Sequence, residues 1–134
     1  MILDDEKKQF IDAYEHFKKG MIMTLSEKQA IFAKNVPLLI NYIFSKGFMV
    51  TFGEAFRTED QAKIYASQGK GIIDSLHCKR LAIDLNLLDK NGKYLSDAQS
   101  YKQFGEYWCT LHPLNRWGGI FKRVDADHFE MQDV

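Results

Sequence analysis

The chain has 134 residues, of which 46% are hydrophobic and 13% aromatic, enough for one compact core rather than a disordered tail. Eighteen Lys and Arg residues balance eighteen Asp and Glu residues, so no net charge favours nucleic acid or an anionic membrane. The acidic N-terminus lacks the features of a secretory signal, and no stretch is apolar over a membrane-spanning length. We therefore expect a monomeric single domain with free cysteines, synthesised in the cytoplasm and not inserted in a membrane.

Two helices are predicted in the N-terminal third of the chain. Residues 4–19 carry apolar side chains at helical spacing, and Gly20 follows as a stop signal. The next helix is expected to begin at Ser26 as its N-cap and to end at Gly47. Pro37 falls inside this second pattern and can kink it.

A strand followed by a third helix is predicted next. Residues 48–57 alternate in polarity, and Arg57 falls on the smaller, partly polar face of that strand. Thr58 can cap a helix that Gly69 and Gly71 then break.

The second half of the chain predicts two further strands and a helix. In residues 81–88 the leucine and isoleucine side chains alternate with polar ones, so Asp84 stands on the face away from the core. Residues 89–93 contain an Asn-Gly turn signal but lack the acidic ligands of a calcium loop, which favours a plain turn. A helix is expected over residues 97–111, and a last strand places His128 and Glu130 on one face.

Two of the four histidines have a carboxylate close by in sequence. Asp84 follows His77 by seven residues, and Asp125 precedes His128 by three. An odd separation within one strand would direct His77 and Asp84 to opposite faces, so His77 must lie in the loop before that strand. Two imidazoles and one carboxylate leave the fourth position of a tetrahedral zinc ion open for water, which is typical of a catalytic site.

Four sequence segments match one known family. They are G-E-A-F-R-T-E-D-Q (residues 53–61), S-L-H-C-K-R-L-A-I-D (75–84), R-W-G-G-I-F (116–121) and D-A-D-H-F-E (125–130). In these segments the chain resembles the zinc D,D-carboxypeptidase and L-alanyl-D-glutamate endopeptidase family, which includes a branch of phage endolysins. The resemblance runs from about Met23 to Glu130, and it implies one zinc ion held by His77, Asp84 and His128.

The same resemblance implies roles for further residues. Asp125 takes the position of the general base, and Arg57 that of the arginine that binds substrate and transition state. Asp127 and Glu130 remain rivals for the role of Asp125, because each also lies beside a ligand. Three residues are assigned to substrate contact or to support of the pocket: Ser75, Trp117 and Glu130.

Three residues need separate comment: one has an alternative role, one departs from the family pattern, and one is assigned no role. Arg57 can instead form a surface ion pair with Glu59 or Asp60. Arg80 stands where the family usually has glycine, a costly change if that position needs a positive φ. Cys78 adjoins a ligand but is assigned no role, because a further protein ligand would close the zinc shell.

The predicted fold is α+β, a small and mostly antiparallel sheet with helices on one side, like the D-Ala-D-Ala peptidases and hedgehog. Residues 1–22 are expected to form a helical extension and residues 23–134 the peptidase domain. The expected function is cleavage of the L-alanyl-D-glutamate bond in peptidoglycan stem peptides, by a phage or prophage endolysin that reaches the cell wall after release. The alternatives are a D,D-carboxypeptidase or dipeptidase acting on D-Ala-D-Ala, and a non-catalytic binding module stabilised by zinc.

Overall fold

Four α-helices and five strands make up most of the described chain. The structure is a computed structural model that describes residues 4–18 and 23–134, with side chains for residues 4–14 and 23–134. The helices are α1 (Asp4–Lys18), α2 (Leu25–Ser45), α3 (Glu59–Ser67) and α4 (Ala98–Thr110). The strands are β1 (Met49–Phe52), β2 (Ala82–Leu88), β3 (Tyr94–Leu95), β4 (Asn115–Trp117) and β5 (His128–Met131). The predicted stop at Gly20 lies outside the described residues.

Helix α2 begins earlier than the sequence predicted. Its N-cap is Thr24, and the predicted N-cap at Ser26 is wrong. The Thr24 hydroxyl accepts from the Glu27 N–H at 3.1 Å, and the Glu27 carboxylate accepts from the Thr24 N–H at 3.2 Å. This reciprocal capping box satisfies two donors at once. Pro37 lies inside the helix, which continues through it to Ser45.

The five strands form one antiparallel sheet in the order β1-β2-β5-β4, with β3 added to the end of β2. Strand β2 is central, because its first half pairs with β5 and its second half with β1. The register places Asp84 of β2 opposite His128 of β5. The sheet therefore brings together two of the residues singled out in the sequence.

Strand β1 is shorter than predicted, ending at Phe52 rather than near residue 57. The chain beyond it still follows β2, because the Gly53 N–H donates to the Asp84 carbonyl at 2.8 Å and the Asp84 N–H donates to the Glu54 carbonyl at 2.9 Å. Residues 53–57 then leave the sheet and lead into α3. The two short strands β3 and β4 were not predicted, because two or three residues give no periodicity to recognise.

Helices α2 and α4 pack on the apolar face of the sheet and form the core with it. The α+β prediction is confirmed. Fully buried side chains from both layers include Leu39, Ile43, Leu85, Leu87, Phe104, Trp108 and Phe129. The other face of β2 and β5 carries Asp84 and His128, so the core and the polar residues occupy opposite sides of the sheet.

Helix α1 lies against α2 and the end of α4. A cavity of about 270 Å³ separates them, and Phe10, Asn35 and His112 are among its lining residues. The Phe10 and His112 rings meet edge to face with centroids 6.3 Å apart. Of the described helices, none is both long and apolar enough to cross a membrane. A domain boundary near residue 22 stays a prediction.

Two smaller expectations agree with the structure. The Asp89 carboxylate accepts from the N–H groups of Asn91 at 2.8 Å and Lys93 at 2.9 Å, so it closes a turn rather than facing outward as a calcium ligand. Both cysteines are free.

Candidate metal centre

Three side chains converge on the polar face of the sheet. Asp84 Oδ1 lies 3.3 Å from His77 Nε2 and 3.3 Å from His128 Nδ1. The two imidazole rings are 5.1 Å apart at their centroids. All three potential ligand atoms lie within 4.8 Å of one another. The structure therefore brings together the three residues that the sequence nominated as metal ligands.

Different elements deliver the three side chains. Asp84 and His128 face each other because β2 and β5 pair in that register. His77 lies in a 3₁₀ turn, Leu76–Lys79, directly before β2, as the odd spacing to Asp84 required. Ser75 caps that turn, because its hydroxyl accepts from the His77 N–H at 3.2 Å. Ser75 thus positions the backbone of a ligand and is itself buried.

A backbone carbonyl fixes the orientation of His77. Its Nδ1 lies 3.1 Å from the Ala55 carbonyl oxygen, and the residue is only 3% exposed. Since a carbonyl can only accept, Nδ1 must carry the proton. In the neutral ring Nε2 then has a free lone pair, directed at Asp84.

A carboxylate fixes His128 in the complementary way. Its Nε2 donates to Glu130 Oε1 at 2.7 Å, which leaves Nδ1 as the atom that faces Asp84. Glu130 is held in turn by Arg116, whose Nε donates to Oε2 at 2.8 Å. A carboxylate that orients a histidine and raises its basicity is a common partner of metal-bound imidazole.

The charges of this cluster shift the pKa values of its members. Burial alone would raise the pKa of Asp84, but its contacts with His128 and His77 outweigh burial and lower the pKa to about 2. Burial alone would lower the pKa of His128, but Asp84 and Glu130 outweigh it and raise the pKa to about 9. The cluster therefore keeps Asp84 anionic and favours positive charge beside it.

Asp125 and Asp127 lie next to the three ligands but differ in their surroundings. Asp125 lines the open cleft, its side chain is 55% exposed, and its Oδ2 lies 3.8 Å from His128 Nδ1. Asp127 is more covered and does not line that cleft. Burial, the charge of Asp84 and a hydrogen bond to Asp125 raise the pKa of Asp127 to about 7.

Arg57 lies at the same cleft but pairs with a residue that the sequence reasoning missed. Its Nε donates to Glu54 Oε1 at 2.7 Å, and its Nη2 contacts the same oxygen. No ion pair joins Arg57 to Glu59 or Asp60 in the described residues, so that alternative is wrong. The i, i+3 spacing of Glu54 and Arg57 could have indicated this ion pair. A continuous strand over residues 48–57 instead puts the two side chains on opposite faces, so the pair was not predicted.

Trp117 lies behind the cleft rather than in it. The residue is 5% exposed, and its indole Nε1 donates to the Ala126 carbonyl at 2.7 Å. A Cβ on Gly105 would lie 2.1 Å from the indole, and one on Gly119 would lie 2.0 Å from it. The ring is thus packed between two glycines, where it supports the segment that leads to Asp125 and His128 and does not line the cleft.

Arg80 adopts a backbone conformation with positive φ, which is costly for any residue other than glycine. Its φ is 56° and its ψ is 36°, the left-handed region, and it ends the turn that carries His77. It is the one non-glycine residue with positive φ among those described. The turn therefore forms with arginine at this position, at some conformational cost.

The donor set suits zinc. Two imidazole nitrogens and one carboxylate oxygen are zinc ligands of the usual kinds, and each ring has its second nitrogen held by an acceptor. The cleft beside them has a volume of about 850 Å³, and Arg57 and Asp125 line it. A zinc ion held by His77, Asp84 and His128 would therefore face an open space large enough for a peptide.

The fold and this donor set define an α+β domain with a candidate metal site on the polar face of its sheet. A solved structure, the L-Ala D-Glu endopeptidase ChiX of Serratia marcescens, superposes with a TM-score of 0.64 over 75% of this chain and 77% of that chain, at 18% identity. The sequence model of a family described as D-alanyl-D-alanine carboxypeptidase matches residues 68–131. No curated protein matches in sequence. The resemblance to the zinc D,D-carboxypeptidase and L-alanyl-D-glutamate endopeptidase family is confirmed by the family model over residues 68–131, and the superposition shows that the fold is shared.

Proposed function

We propose that this chain is a zinc-dependent endopeptidase that cleaves the L-alanyl-D-glutamate bond of peptidoglycan stem peptides, as a phage or prophage endolysin does. The observation that carries the proposal is the orientation of the two histidines. His77 Nε2 and His128 Nδ1 both face Asp84, while their other nitrogens are held by Ala55 and Glu130. A metal-binding arrangement of this kind, open to a cleft, favours hydrolysis over a purely structural role.

The metal would supply Lewis acidity when bound, which polarises the scissile carbonyl and brings the pKa of a coordinated water to about 7. The remaining steps fall to side chains of this chain. Asp125 is placed to take a proton from the attacking water and to pass it to the leaving amine, because its carboxylate lies in the open cleft beside His128. The positive charge of Arg57 is placed to offset the negative charge that develops on the carbonyl oxygen.

The rivals of Asp125 are less well placed for this role. Glu130 already accepts from His128 and from Arg116, and it is 5% exposed. Asp127 does not line the cleft in which a peptide would lie, whereas Asp125 does. Asp125 combines exposure to the cleft with proximity to the ligands, so we assign it the proton transfer.

A D,D-carboxypeptidase or dipeptidase acting on D-Ala-D-Ala is the second candidate. The family whose model matches residues 68–131, described as D-alanyl-D-alanine carboxypeptidase, favours it, whereas the superposed Serratia protein is an L-Ala D-Glu endopeptidase. The same ligands and the same Asp125 serve either reaction. The difference lies in which peptide bond the cleft places beside the metal.

Digestion of purified muropeptides by the zinc-loaded protein, followed by mass spectrometry, tests the proposal. Release of the stem peptide from L-alanine supports the endopeptidase, and loss of one terminal alanine supports the carboxypeptidase. An His77→Ala variant serves as the matched control and should be inactive. If the zinc-loaded parent protein leaves every muropeptide and isolated sacculi intact, the proposed function is wrong and a zinc-stabilised binding module becomes the better explanation.

A further inference from the structure

Arg57, the arginine of the cleft, is held by the carboxylate of Glu54. The backbone of Glu54 in turn pairs with Asp84 of the candidate metal centre. Glu54 Oε1 accepts from Arg57 Nε at 2.7 Å and also contacts Nη2. Only 12% of the Arg57 side chain and 26% of the Glu54 side chain are exposed. A guanidinium has five N–H donors, so these contacts leave three of them free for another acceptor.

Glu54 is itself anchored to the strand that carries a ligand. Its backbone carbonyl accepts from the Asp84 N–H at 2.9 Å, beside the bond from the Gly53 N–H to the Asp84 carbonyl. Its Oε1 lies 3.8 Å from His77 Nδ1. The carboxylate of Glu54 therefore contacts Arg57 and lies close to the His77 ring, on backbone that is paired with β2.

Three further contacts surround Arg57. Its backbone N–H donates to the His77 carbonyl at 3.1 Å, and its guanidinium carbon lies 5.0 Å from the Tyr65 ring centroid. A Cβ on Gly71 would come within 3.5 Å of Nη1, so the chain passes close to the head group there. The backbone hydrogen bond to His77 fixes the position of the Arg57 backbone, and the Tyr65 ring restricts the orientation of the guanidinium. Among the described residues, Glu54 is the one ion-pair partner of that guanidinium.

We propose that Glu54 is a positioning residue: its carboxylate fixes the Arg57 guanidinium at a set distance from the metal centre, so that the free N–H groups face the carbonyl under attack. This inference rests on the proposed function. A long side chain without such a partner regains rotamer freedom, and a displaced catalytic charge loses much of its effect on the rate. A plain surface ion pair would instead affect stability slightly and turnover not at all.

The test compares Glu54→Ala, Glu54→Gln, Arg57→Ala and the Glu54→Ala/Arg57→Ala double variant on one muropeptide substrate. We expect Glu54→Ala to lower kcat by about 100-fold, with KM changed much less, because orientation is lost and not the cleft. Glu54→Gln retains an oxygen that accepts from Nε and should recover most of that loss. In the Arg57→Ala background the Glu54→Ala change should have no further effect, since its partner is already gone.

Two controls separate positioning from general damage. Glu59→Gln removes an exposed carboxylate close to Arg57 in sequence and should leave kcat unchanged. Zinc content should stay at one ion per chain in all of these variants, because the ligands and their hydrogen-bond partners are intact.

A readout that does not depend on activity is the ¹H–¹⁵N signal of Arg57 Nε–H. It should be protected from solvent exchange in the parent and in Glu54→Gln, and lost in Glu54→Ala. An Arg57 Nε–H that stays protected in Glu54→Ala, a kcat within twofold of the parent, or equal losses in both Arg57 backgrounds would each overturn the inference. Inactivity of the zinc-loaded parent would instead count against the proposed function, and the Nε–H signal would still report on the contact.

Discussion

The guanidinium carbon of Arg80 lies 4.1 Å from the centroid of the Phe56 ring. Arg80 ends the turn that holds His77, and Phe56 directly precedes Arg57. This cation–π contact therefore joins the two segments that bring a metal ligand and the cleft arginine together. It contributes about 0.5–1 kcal/mol at an exposed site, which offsets part of the cost of the left-handed backbone at Arg80.

Substitutions at Arg80 separate that contact from the backbone strain. Arg80→Ala removes the contact and keeps a Cβ at φ 56°, whereas Arg80→Gly removes both the contact and the Cβ. We expect Arg80→Gly to be more stable than Arg80→Ala by about 1 kcal/mol, because glycine adopts this conformation without a steric penalty. Urea unfolding of the two variants and the parent measures the difference. Equal stability of the two variants would show that the backbone here is not strained.

The hydrogen bond from His128 to Glu130 should set the affinity for zinc. We expect Glu130→Gln to weaken zinc binding by about 10- to 100-fold, because the carboxylate that orients the ring and raises its basicity is lost. Competition with a chromophoric chelator measures the affinity. Gln99→Ala, on the opposite side of the molecule from the cleft, is the matched control and should bind zinc like the parent. Unchanged affinity in Glu130→Gln would mean that β5 alone orients His128.

Asp125 should affect turnover far more than metal binding. We expect Asp125→Asn to lower kcat by about 10²- to 10⁴-fold, since the amide cannot accept the proton of the water. Zinc stoichiometry should remain at one ion per chain, which metal analysis of the dialysed protein measures. Asp127→Asn is the comparison: if it abolishes turnover and Asp125→Asn does not, the general base is Asp127.

His112, which lies away from the metal centre, should make the stability of the protein depend on pH. The residue is 1% exposed, and its Nδ1 accepts from the Leu114 N–H at 3.0 Å. Burial lowers its pKa from 6.5 to about 4. Between these two pH values, His112 is protonated in the unfolded chain but neutral in the folded chain. The free energy of unfolding therefore falls as the pH drops through that range.

The contribution of His112 to this loss is up to about 3 kcal/mol, and it is complete below the folded pKa. His112→Asn isolates it, because the Asn side-chain oxygen can still accept from Leu114 while nothing titrates. Chemical unfolding at pH 7 and pH 4.5 should show a smaller loss in the variant than in the parent. Glu6, Lys7 and Lys34 line the same cavity and are present in both proteins, so their charges are common to the comparison. Identical pH dependence in parent and variant would exclude His112 as the cause.

Sequence patterns predicted the long elements and nominated the candidate ligands that the structure brings together, for reasons visible in the structure. Helices α2 and α4 and strand β2 are amphipathic over several turns or pleats, so their periodicity is clear. His77 and Asp84 could be assigned to a loop and a strand because side chains alternate along β2. The candidate metal ligands themselves were reached through the family resemblance as well as through spacing.

Contacts between segments distant in sequence could not be predicted in the same way. The bond from His77 to the Ala55 carbonyl involves backbone, which no side-chain pattern reports. Glu54 was placed on the wrong face because the strand ends at Phe52, where the period of two stops applying. Trp117 looked like a pocket aromatic because of the glycines near it in sequence, but Gly105 of α4 forms the other wall of its site.

The pairing of Asp84 with His128 also bears on how the chain reaches its fold. The two residues are 44 positions apart, so their meeting closes a long loop, a step that slows folding more than it reduces stability. An ion held by both would act as a reversible cross-link across that loop. Strand β5 would then be attached to the sheet by metal as well as by its hydrogen bonds to β2 and β4.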